Sequence, residues 1–263
     1  MGDVRHKTRR MTVKPQLPLA GLAILLWVSE VATTAAGIDA APCAPALALT
    51  SNQISQRLAA KNAERAQHLH SFESQRKYSL DYTGFPSSRS AEMDVQVFYR
   101  APGTKRFTVI SESGSRFILT RVFHKLLESE QESSGDEANR DNIALTSDNY
   151  RFVLRGCEVD SGRDLYVMDV EPLRETRFLY RGTIWIDAQD FAVTRIEAEP
   201  ARNPSFWTKK SQIRHRYQKI GEFYLPALNQ TVTDVRLGGK AVLTIRYHDY
   251  KLNPSSGERA GGK

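Results

Sequence analysis

The stretch that most constrains the fold is Phe178–Pro200, which reads FLYRGTIWIDAQDFAVTRIEAEP. It holds two runs rich in β-branched and aromatic residues, joined by the polar segment Asp187-Ala188-Gln189-Asp190. Such runs on either side of a short polar turn are typical of an antiparallel hairpin. In the second run the apolar alternation changes phase between Val193 and Ile196, which predicts a β-bulge or a strand covered on both faces. We expect this hairpin to lie in the middle of a large antiparallel sheet.

The same period of two recurs along most of the chain. Along Glu92–Arg100, every second residue from Met93 to Tyr99 is apolar and the residues between them are mostly polar, which indicates one buried and one solvated face. Besides the hairpin, strands are predicted at Tyr78–Gly84, Glu92–Arg100, Lys105–Ser111, Tyr150–Cys157, Leu165–Glu171, Lys209–Ile220, Leu228–Leu237 and Ala241–Tyr250. About nine or ten strands with two helices predict a strongly curved antiparallel sheet or an open barrel.

The first helix is predicted at Ser51–Phe72, where Ser51 or Asn52 can cap the N-terminus. Its apolar side is thin in the middle, at Asn62 and Arg65, so we expect it to lie along a sheet rather than inside a bundle. The apolar residues on that side are Ile54, Leu58, Leu69 and Phe72.

The second helix is predicted at Arg116–Ser129, where apolar residues recur at spacings of three and four. These residues are Leu119, Val122, Phe123, Leu126 and Leu127. The segment that follows, Glu128–Asp141, is acidic and has Ala138 as its one apolar residue, so we predict a mobile solvated loop there.

Residues 1–40 have the layout of a secretory signal peptide. Basic Met1–Lys14 precedes Leu17–Val28, an apolar run of 12 residues, and an Ala-rich stretch then offers cleavage sites after Ala36 or Ala40. The run is short for a bilayer span, because a spanning helix needs about 20 apolar residues. We therefore predict export, cleavage and a periplasmic mature protein, with an uncleaved membrane anchor as the alternative.

The export route stays open between two alternatives. Arg9-Arg10 and Lys14 resemble a twin-arginine signal, but Thr12 stands where that pattern has Phe, which favours the general secretion route. The rest of the chain is divided into a Pro/Ala-rich linker at residues 41–50, one domain at 51–252 and a disordered tail at 253–263.

The two cysteines, Cys43 and Cys157, are too few for a disulfide framework and lack metal-binding spacing. In an oxidising compartment they can pair with each other. Lipidation of Cys43 is the other alternative, although Ala40 and Pro42 depart from the usual lipoprotein-processing pattern.

Charge and motifs narrow the functional classes. The formal net charge is +7, of which about +5 falls on residues 41–263 without a basic cluster, so nucleic-acid binding is not expected. The sequence has no nucleophile elbow, HExxH, CxxC, phosphate loop or dinucleotide fingerprint. Asp187 and Asp190 are explained by turn chemistry, and His124, His215 and His248 are isolated. We therefore expect a protein without catalytic residues, metal or cofactor.

Three phrases of the chain resemble a known family. They are RGTIWIDAQDFAVTRIEAEP, FWTKKSQIRHRYQKIGEFYLPALNQ and GGKAVLTIRYHDYKL. They resemble the LolA/LolB-like outer-membrane lipoprotein carrier superfamily, and more closely the exported proteins described as outer-membrane lipoprotein-sorting proteins. The likeness is best over Asn149–Leu252 and extends back to about Ser51. It implies a mainly β fold with two or more helices, in which a curved antiparallel sheet forms an unclosed β-barrel with helices on its concave side.

The resemblance also implies an apolar cavity between sheet and helices that takes the acyl chains of a lipidated protein or a lipid. Candidate cavity residues are Leu119, Phe123, Trp185, Tyr217, Phe223 and Tyr247. Each acyl methylene buried there contributes about 0.8 kcal/mol, so affinity needs no catalytic group. The alternative is that these side chains pack against one another.

Three functional hypotheses follow. The leading one is a monomeric periplasmic carrier or chaperone for outer-membrane lipoprotein sorting, with a lipoprotein or lipid as cargo and an inner- or outer-membrane receptor. The second is a non-catalytic interaction or sensor module of the envelope with the same fold, and the third is an enzyme of unknown type. A deep apolar pocket favours the first, and a collapsed interior with an exposed apolar patch favours the second.

The signal peptide gives the first testable prediction. The mature protein should begin between Gly37 and Ala44 and be free in the periplasm, because the basic, apolar and small-residue regions follow one another as export requires. N-terminal sequencing of the protein from periplasmic extract checks this. An intact Met1, or a lipid on Cys43, would contradict it.

Overall fold

The computed structural model describes residues 49–134, 141–203, 208–236 and 238–252. The predicted signal peptide and tail, and nearly all of the predicted linker, lie outside these residues. Contacts divide the chain into two units, residues 1–39 and 40–263, and every described residue belongs to the second. None of the helices in the described ranges combines the length and apolarity needed to cross a bilayer.

The described residues form ten strands and three helices. The strands are β1 (Ser71–Gly84), β2 (Arg89–Arg100), β3 (Thr104–Gly114), β4 (Tyr150–Asp160), β5 (Arg163–Pro172), β6 (Tyr180–Asp187), β7 (Val193–Pro200), β8 (Thr208–Ile220), β9 (Phe223–Val235) and β10 (Gly239–Leu252). The helices are α1 (Ser51–His68), α2 (Arg116–Ile118) and α3 (His124–Ser134). A π-helical turn at Leu119–Phe123 joins α2 to α3, so the second helical region is continuous.

The ten strands form one antiparallel sheet in the order β3-β2-β1-β10-β9-β8-β7-β6-β5-β4. The two end strands, β3 and β4, are not paired with each other, so the barrel is unclosed. This confirms the predicted mainly β fold with its open antiparallel barrel. The last strand, β10, lies between β1 and β9 in the sheet. The first and last strands of the domain are therefore paired with each other.

The predicted bulge is present in β7. Trp185 pairs with Arg195 and Ile186 pairs with Val193, so Thr194 has no partner residue in β6. The Thr194 hydroxyl donates to the Trp185 carbonyl at 3.2 Å, which fixes the extra residue in place. The bulge explains why the apolar alternation changes phase in this strand.

The helices bury two separate clusters on the concave side of the sheet. In the first, α1 inserts Ile54 and Leu58 against β4–β7, where both side chains are fully buried. In the second, the α2–α3 region packs on β1 and β2. Its main buried residues are Tyr78, Met93, Val95, Val97, Ile118 and Phe123. The two clusters lie over different strands of the sheet.

The first predicted helix is correct in its core and wrong at its end. It begins with a capping box, in which the Thr50 side chain accepts from the Gln53 backbone N–H, so the cap is one residue earlier than predicted. It ends at His68, because the chain turns into β1 at Ser71. Phe72, predicted as helical, lies in β1 and stacks on Tyr99 with ring centroids 5.0 Å apart.

The acidic segment after the second helix is ordered over its first half, which corrects the predicted loop at Glu128–Asp141. Residues up to Ser134 continue α3, and residues 135–140 lie outside the described ranges. Glu130 accepts hydrogen bonds from Arg76 at 2.8 Å and from Lys105 at 2.7 Å. The buried Arg76 needs a counter-charge. Glu130 provides it, although this glutamate lies in an acidic run that looks uniformly solvated in the sequence.

Cys157 lies in β4 and forms a disulfide bond. The sequence contains one other cysteine, Cys43, which lies outside the described residues. Of the alternatives left open by the sequence, a disulfide at Cys157 is the one that the structure supports.

Phe123 is the residue whose removal should damage the second cluster most. It is fully buried, and its ring lies 5.8 Å from that of Tyr78. Phe123→Ala should lower the free energy of unfolding by about 3–5 kcal/mol, because it deletes a ring that the surroundings cannot replace. Phe117→Ala is the control on the same helical region, since Phe117 is 58% exposed; it should cost less than about 1 kcal/mol. Equal losses in urea unfolding would contradict this packing.

Candidate functional site

A cavity of about 320 Å³ opens on the concave side of the sheet, beneath the C-terminal half of α1. Four of its wall residues come from α1 and the turn that follows, and the others come from β6–β9 and the segment before β4. The lining residues are Asn62, Arg65, Ala66, Leu69, Leu145, Tyr180, Val193, Ile196, Tyr217, Phe223, Tyr224 and Leu225. The cavity therefore lies between a helix and the sheet, as the resemblance implies.

The helix α1 changes role along its length. Its first half carries Ile54 and Leu58, which are buried in the first cluster. One and two turns later the same helical side presents Asn62 and Arg65, which are too polar to pack into an apolar core. The side of α1 that faces the sheet thus stops filling space there, and the cavity begins. The thin stretch in the apolar pattern of this helix was the sequence signal for it.

The cavity wall is apolar on the sheet side. Phe223 and Leu225 are 6% and 7% exposed, and Val193, Ile196 and Leu145 complete this surface. Ile196 also belongs to the first cluster, so the wall is continuous with the core and held by it. Such a wall can remove acyl methylenes from water without rearranging.

Two tyrosine hydroxyls face this cavity without a hydrogen-bond partner among the described residues, those of Tyr180 and Tyr217. Burial raises the pKa of Tyr217 to about 12. Burial also raises the pKa of Tyr180 well above its ordinary value, with smaller contributions from Tyr217 and Tyr150. Both hydroxyls are therefore neutral donors at physiological pH. Each of these hydroxyls can donate one hydrogen bond to a polar ligand group.

Arg65 stands at the edge of the cavity and is fixed by backbone oxygens. It donates to the carbonyls of Asp190 and Phe191, both at 2.9 Å, and its guanidinium lies 5.7 Å from the centre of the Tyr224 ring. It has no ion pair with a carboxylate among the described residues. Burial lowers the pKa of Arg65, although an arginine stays charged at any physiological pH.

The neighbouring hairpin turn is held by its own charges. Asp190 accepts from Arg163 at 2.7 Å, Lys219 at 2.6 Å and the Tyr224 hydroxyl at 2.6 Å. Burial raises the pKa of Asp190, but these three hydrogen bonds outweigh it and hold the pKa well below its usual range. Asp187 accepts from the backbone N–H of Asp190 at 2.8 Å, so the two aspartates perform the turn chemistry that the sequence predicted.

No family model matches the sequence, and no curated protein matches it either. Solved structures do match. An outer membrane lipoprotein-sorting protein domain from Vibrio parahaemolyticus is 10% identical with a TM-score of 0.41, over 79% of this chain and 94% of that one. A DUF1329 family protein from Desulfovibrio piger is 16% identical with a TM-score of 0.38, over 78% and 94%. A LolA superfamily protein from Nitrosomonas europaea is 13% identical with a TM-score of 0.31, over 79% and 96%.

The fold is LolA-like. The unclosed ten-stranded sheet with helices on its concave side is the architecture that the sequence resemblance implies. At these identities and TM-scores the likeness to the solved structures concerns architecture alone.

The six residues predicted to line a cavity are distributed over four places. Tyr217 and Phe223 line the cavity beneath α1. Leu119 and Phe123 pack in the second cluster, so they belong to the core of this LolA-like fold. Tyr247 lies in β10, where its hydroxyl accepts from Asn229 at 2.9 Å and its ring lies 4.9 Å from the Arg76 guanidinium.

Trp185 lies on the outer face of β6, opposite in direction to Ile184 and Ile186 of the first cluster. Its indole N–H donates to Glu158 at 2.7 Å, and the Arg195 guanidinium lies 3.7 Å from its ring. We therefore leave Trp185 out of the site. The alternation along the strand already placed it opposite Ile184, so the sequence held this information.

The outer face carries a larger depression of about 530 Å³, over β4–β8. Its charges alternate from strand to strand and pair across the sheet, with Arg155 on Asp169 at 3.1 Å, Arg181 on Glu171 at 3.1 Å and Lys210 on Glu199 at 2.7 Å. Since the charges of neighbouring strands neutralise each other, this surface has no excess charge to select a ligand. The smaller apolar cavity is the better candidate.

His215 gives a testable pH dependence. It lies in β8 opposite Ile196, on the concave side, and burial lowers its pKa from 6.5 to about 4. Above pH 6.5 both folded and unfolded states hold it neutral. As the pH falls from about 6.5 to 4, the unfolded state binds a proton that the folded state does not, so the free energy of unfolding should fall by roughly 2–3 kcal/mol from this group.

His215→Gln removes this titration while other groups still titrate. The difference in unfolding free energy between wild type and variant, measured by urea denaturation at a series of pH values, should therefore change across that window and be flat above it. A difference that stays constant from pH 7 to pH 4 would show that folded His215 accepts a proton as easily as the unfolded chain does.

Proposed function

We propose that this protein is a carrier or chaperone that holds a lipid acyl chain in the cavity beneath α1. The supporting observation is the cavity itself, which has an apolar wall on the sheet side and a helix that stops packing above it. Its volume of about 320 Å³ lies at the lower end of the range for ligand pockets, roughly 300–1,000 Å³. The space fits one chain or part of a chain rather than a lipid with several chains.

The affinity available in such a site is sufficient for a carrier. About eight buried methylenes contribute roughly 6 kcal/mol at ~0.8 kcal/mol each, before the cost of immobilising the ligand is subtracted. This gross gain is below the 8.2 kcal/mol that corresponds to about 1 μM, and immobilisation reduces it further, so the chain alone binds weakly. A carrier must release its cargo, so binding of this strength suits transfer between partners.

The cellular role in this proposal follows the sequence resemblance. The protein would be exported, act in the periplasm and hand a lipidated protein or lipid to the outer membrane. A disulfide at Cys157 supports an oxidising compartment, because such bonds are rare in the reducing cytosol. The cargo and receptor are identified here by chemical class only, and the mechanism needs no catalytic group.

The interaction module is the second candidate, and the edge of the sheet favours it. β3 is an end strand whose Val109 and Ile110 are 40% and 56% exposed, and an exposed apolar edge can pair with a strand of another protein. This surface is independent of the cavity. Blocking the cavity therefore separates the two functions.

Ala66→Trp tests the carrier proposal. Ala66 is exposed at the rim of the cavity, so an indole there should fill the entrance without disturbing the core. Displacement of a fluorescent fatty acid should weaken by at least tenfold, while the thermal melt stays close to wild type. Ala60→Trp is the matched control, because Ala60 is exposed on the same helix and does not line the cavity. A wild-type protein that melts normally and never binds the probe would favour the interaction module instead.

A further inference from the structure

We infer that the cavity beneath α1 recognises a single-chain amphiphile with an anionic oxygen head group, such as a fatty-acid carboxylate or an alkyl phosphate. Arg65 and the hydroxyls of Tyr180 and Tyr217 bind the head, and the wall around Phe223 and Leu225 holds the chain. This inference rests on the proposed function and adds to it the chemistry of the ligand.

Two tyrosines in the cavity lining offer hydrogen-bond donors. Tyr180 and Tyr217 present hydroxyls that have no partner among the described residues, while nearby Tyr224 already donates to Asp190. Donors without acceptors in a partly enclosed site favour a ligand that brings acceptor oxygens. A carboxylate or phosphate brings several on one atom centre, and an alcohol brings one.

Arg65 places a positive charge at the edge of the cavity. Arg65 gives three hydrogen bonds, to the carbonyls of Asp190 and Phe191 and to the Asn62 side-chain oxygen, which orient it but form no ion pair with a described carboxylate. The acidic side chains whose charges reach Arg65 are Asp190, Glu64 and Glu222, and all are engaged elsewhere. Glu64 pairs with Lys61 at 2.6 Å. Asp190 is bonded to Arg163 and Lys219, and Glu222, which is 55% exposed, pairs with His68 at 3.3 Å.

The dipole of helix α1 opposes anion binding at this position. Arg65 lies in the last turn of α1, where the helix carries a partial charge of about −0.5 that disfavours an anion. A full positive charge exceeds this partial charge, and the guanidinium lies against the cavity itself. The balance therefore favours an anion. Both N–H groups of Nη2 are already engaged by Asn62 and Phe191, so Arg65 contributes its charge and its remaining N–H groups rather than a two-pronged contact.

The experiment compares three ligands that share a ten-carbon chain. Decanoate, decyl phosphate and decanol are titrated against the full mature protein by calorimetry or by displacement of a fluorescent fatty acid, at neutral pH and below their critical micelle concentrations. At least one of the two anions should bind about tenfold or more tightly than decanol, as expected for a charge-assisted hydrogen bond. The tighter of the two identifies the head group as carboxylate or phosphate.

Variants then locate the recognition. Arg65→Gln should reduce the anion-to-alcohol affinity ratio to about one, and Arg65→Lys should retain much of it. Arg57→Gln is the matched control, because Arg57 is a cation of the same helix that lies 5.3 Å from the Phe191 ring and does not line the cavity. Tyr217→Phe removes a hydroxyl without a described partner, so it should weaken anion binding about threefold or more and leave the melt unchanged.

The outcomes separate this inference from the carrier proposal. Equal binding of decanol and both anions, or tighter binding of decanol, overturns the inference and leaves the carrier standing. A ratio unchanged by Arg65→Gln overturns the role of this arginine and with it the inference. No binding by any of the three ligands to a folded wild type overturns both.

Discussion

The open edge of the ten-stranded sheet is the constraint on which the rest of the structure depends. Because β3 and β4 do not pair, the sheet curves without closing, and its concave face needs cover from elsewhere in the chain. The two helical regions supply that cover at two separate places, α1 over β4–β7 and the α2–α3 region over β1 and β2. A closed barrel of the same size would fill its interior with its own side chains. Here the space between the two helical covers remains, and the cavity occupies its edge beside α1.

The polar groups of the interior also differ between the two halves of the concave face. On the side of the second cluster, Arg76 is buried and its terminal N–H groups pair with Glu130, which holds α3 to the sheet. Breaking one partner of such a pair is costly, which makes this contact a fixed part of the fold. On the side of α1, Arg65 and two tyrosine hydroxyls are left with capacity for a ligand. The same residue types thus hold the fold together in one half of the concave face and line the cavity in the other.

Part of the candidate site could be predicted from the sequence, and there is a physical reason why the rest could not. Tyr217 lies in a strand whose alternation was predicted, so its placement on the concave side followed. Phe223 precedes the predicted start of its strand at Leu228, because β9 begins at Phe223. Leu119 and Phe123 could not be assigned to core or cavity in advance, because a period of three and four shows that a helical face is buried and not what covers it. In the sequence, Arg65 is noticeable only as a polar residue on the apolar side of α1. Its orientation depends on hydrogen bonds to the carbonyls of Asp190 and Phe191, more than a hundred residues away.

The sequence by itself determined the antiparallel sheet, an approximate number of strands and the existence of both helical regions, because period-two and period-3.6 patterns are local properties of the chain. It offered the bulge in β7 as one of two alternatives. The tertiary structure alone decided three further points. It ordered the acidic run to Ser134, since Glu130 meets a buried arginine from β1. It placed Trp185 outside and the cavity beneath α1, since the strand and helix faces acquire meaning only when packed. It placed Arg65 and the two tyrosines in the lining of one cavity, although these residues lie far apart in the chain.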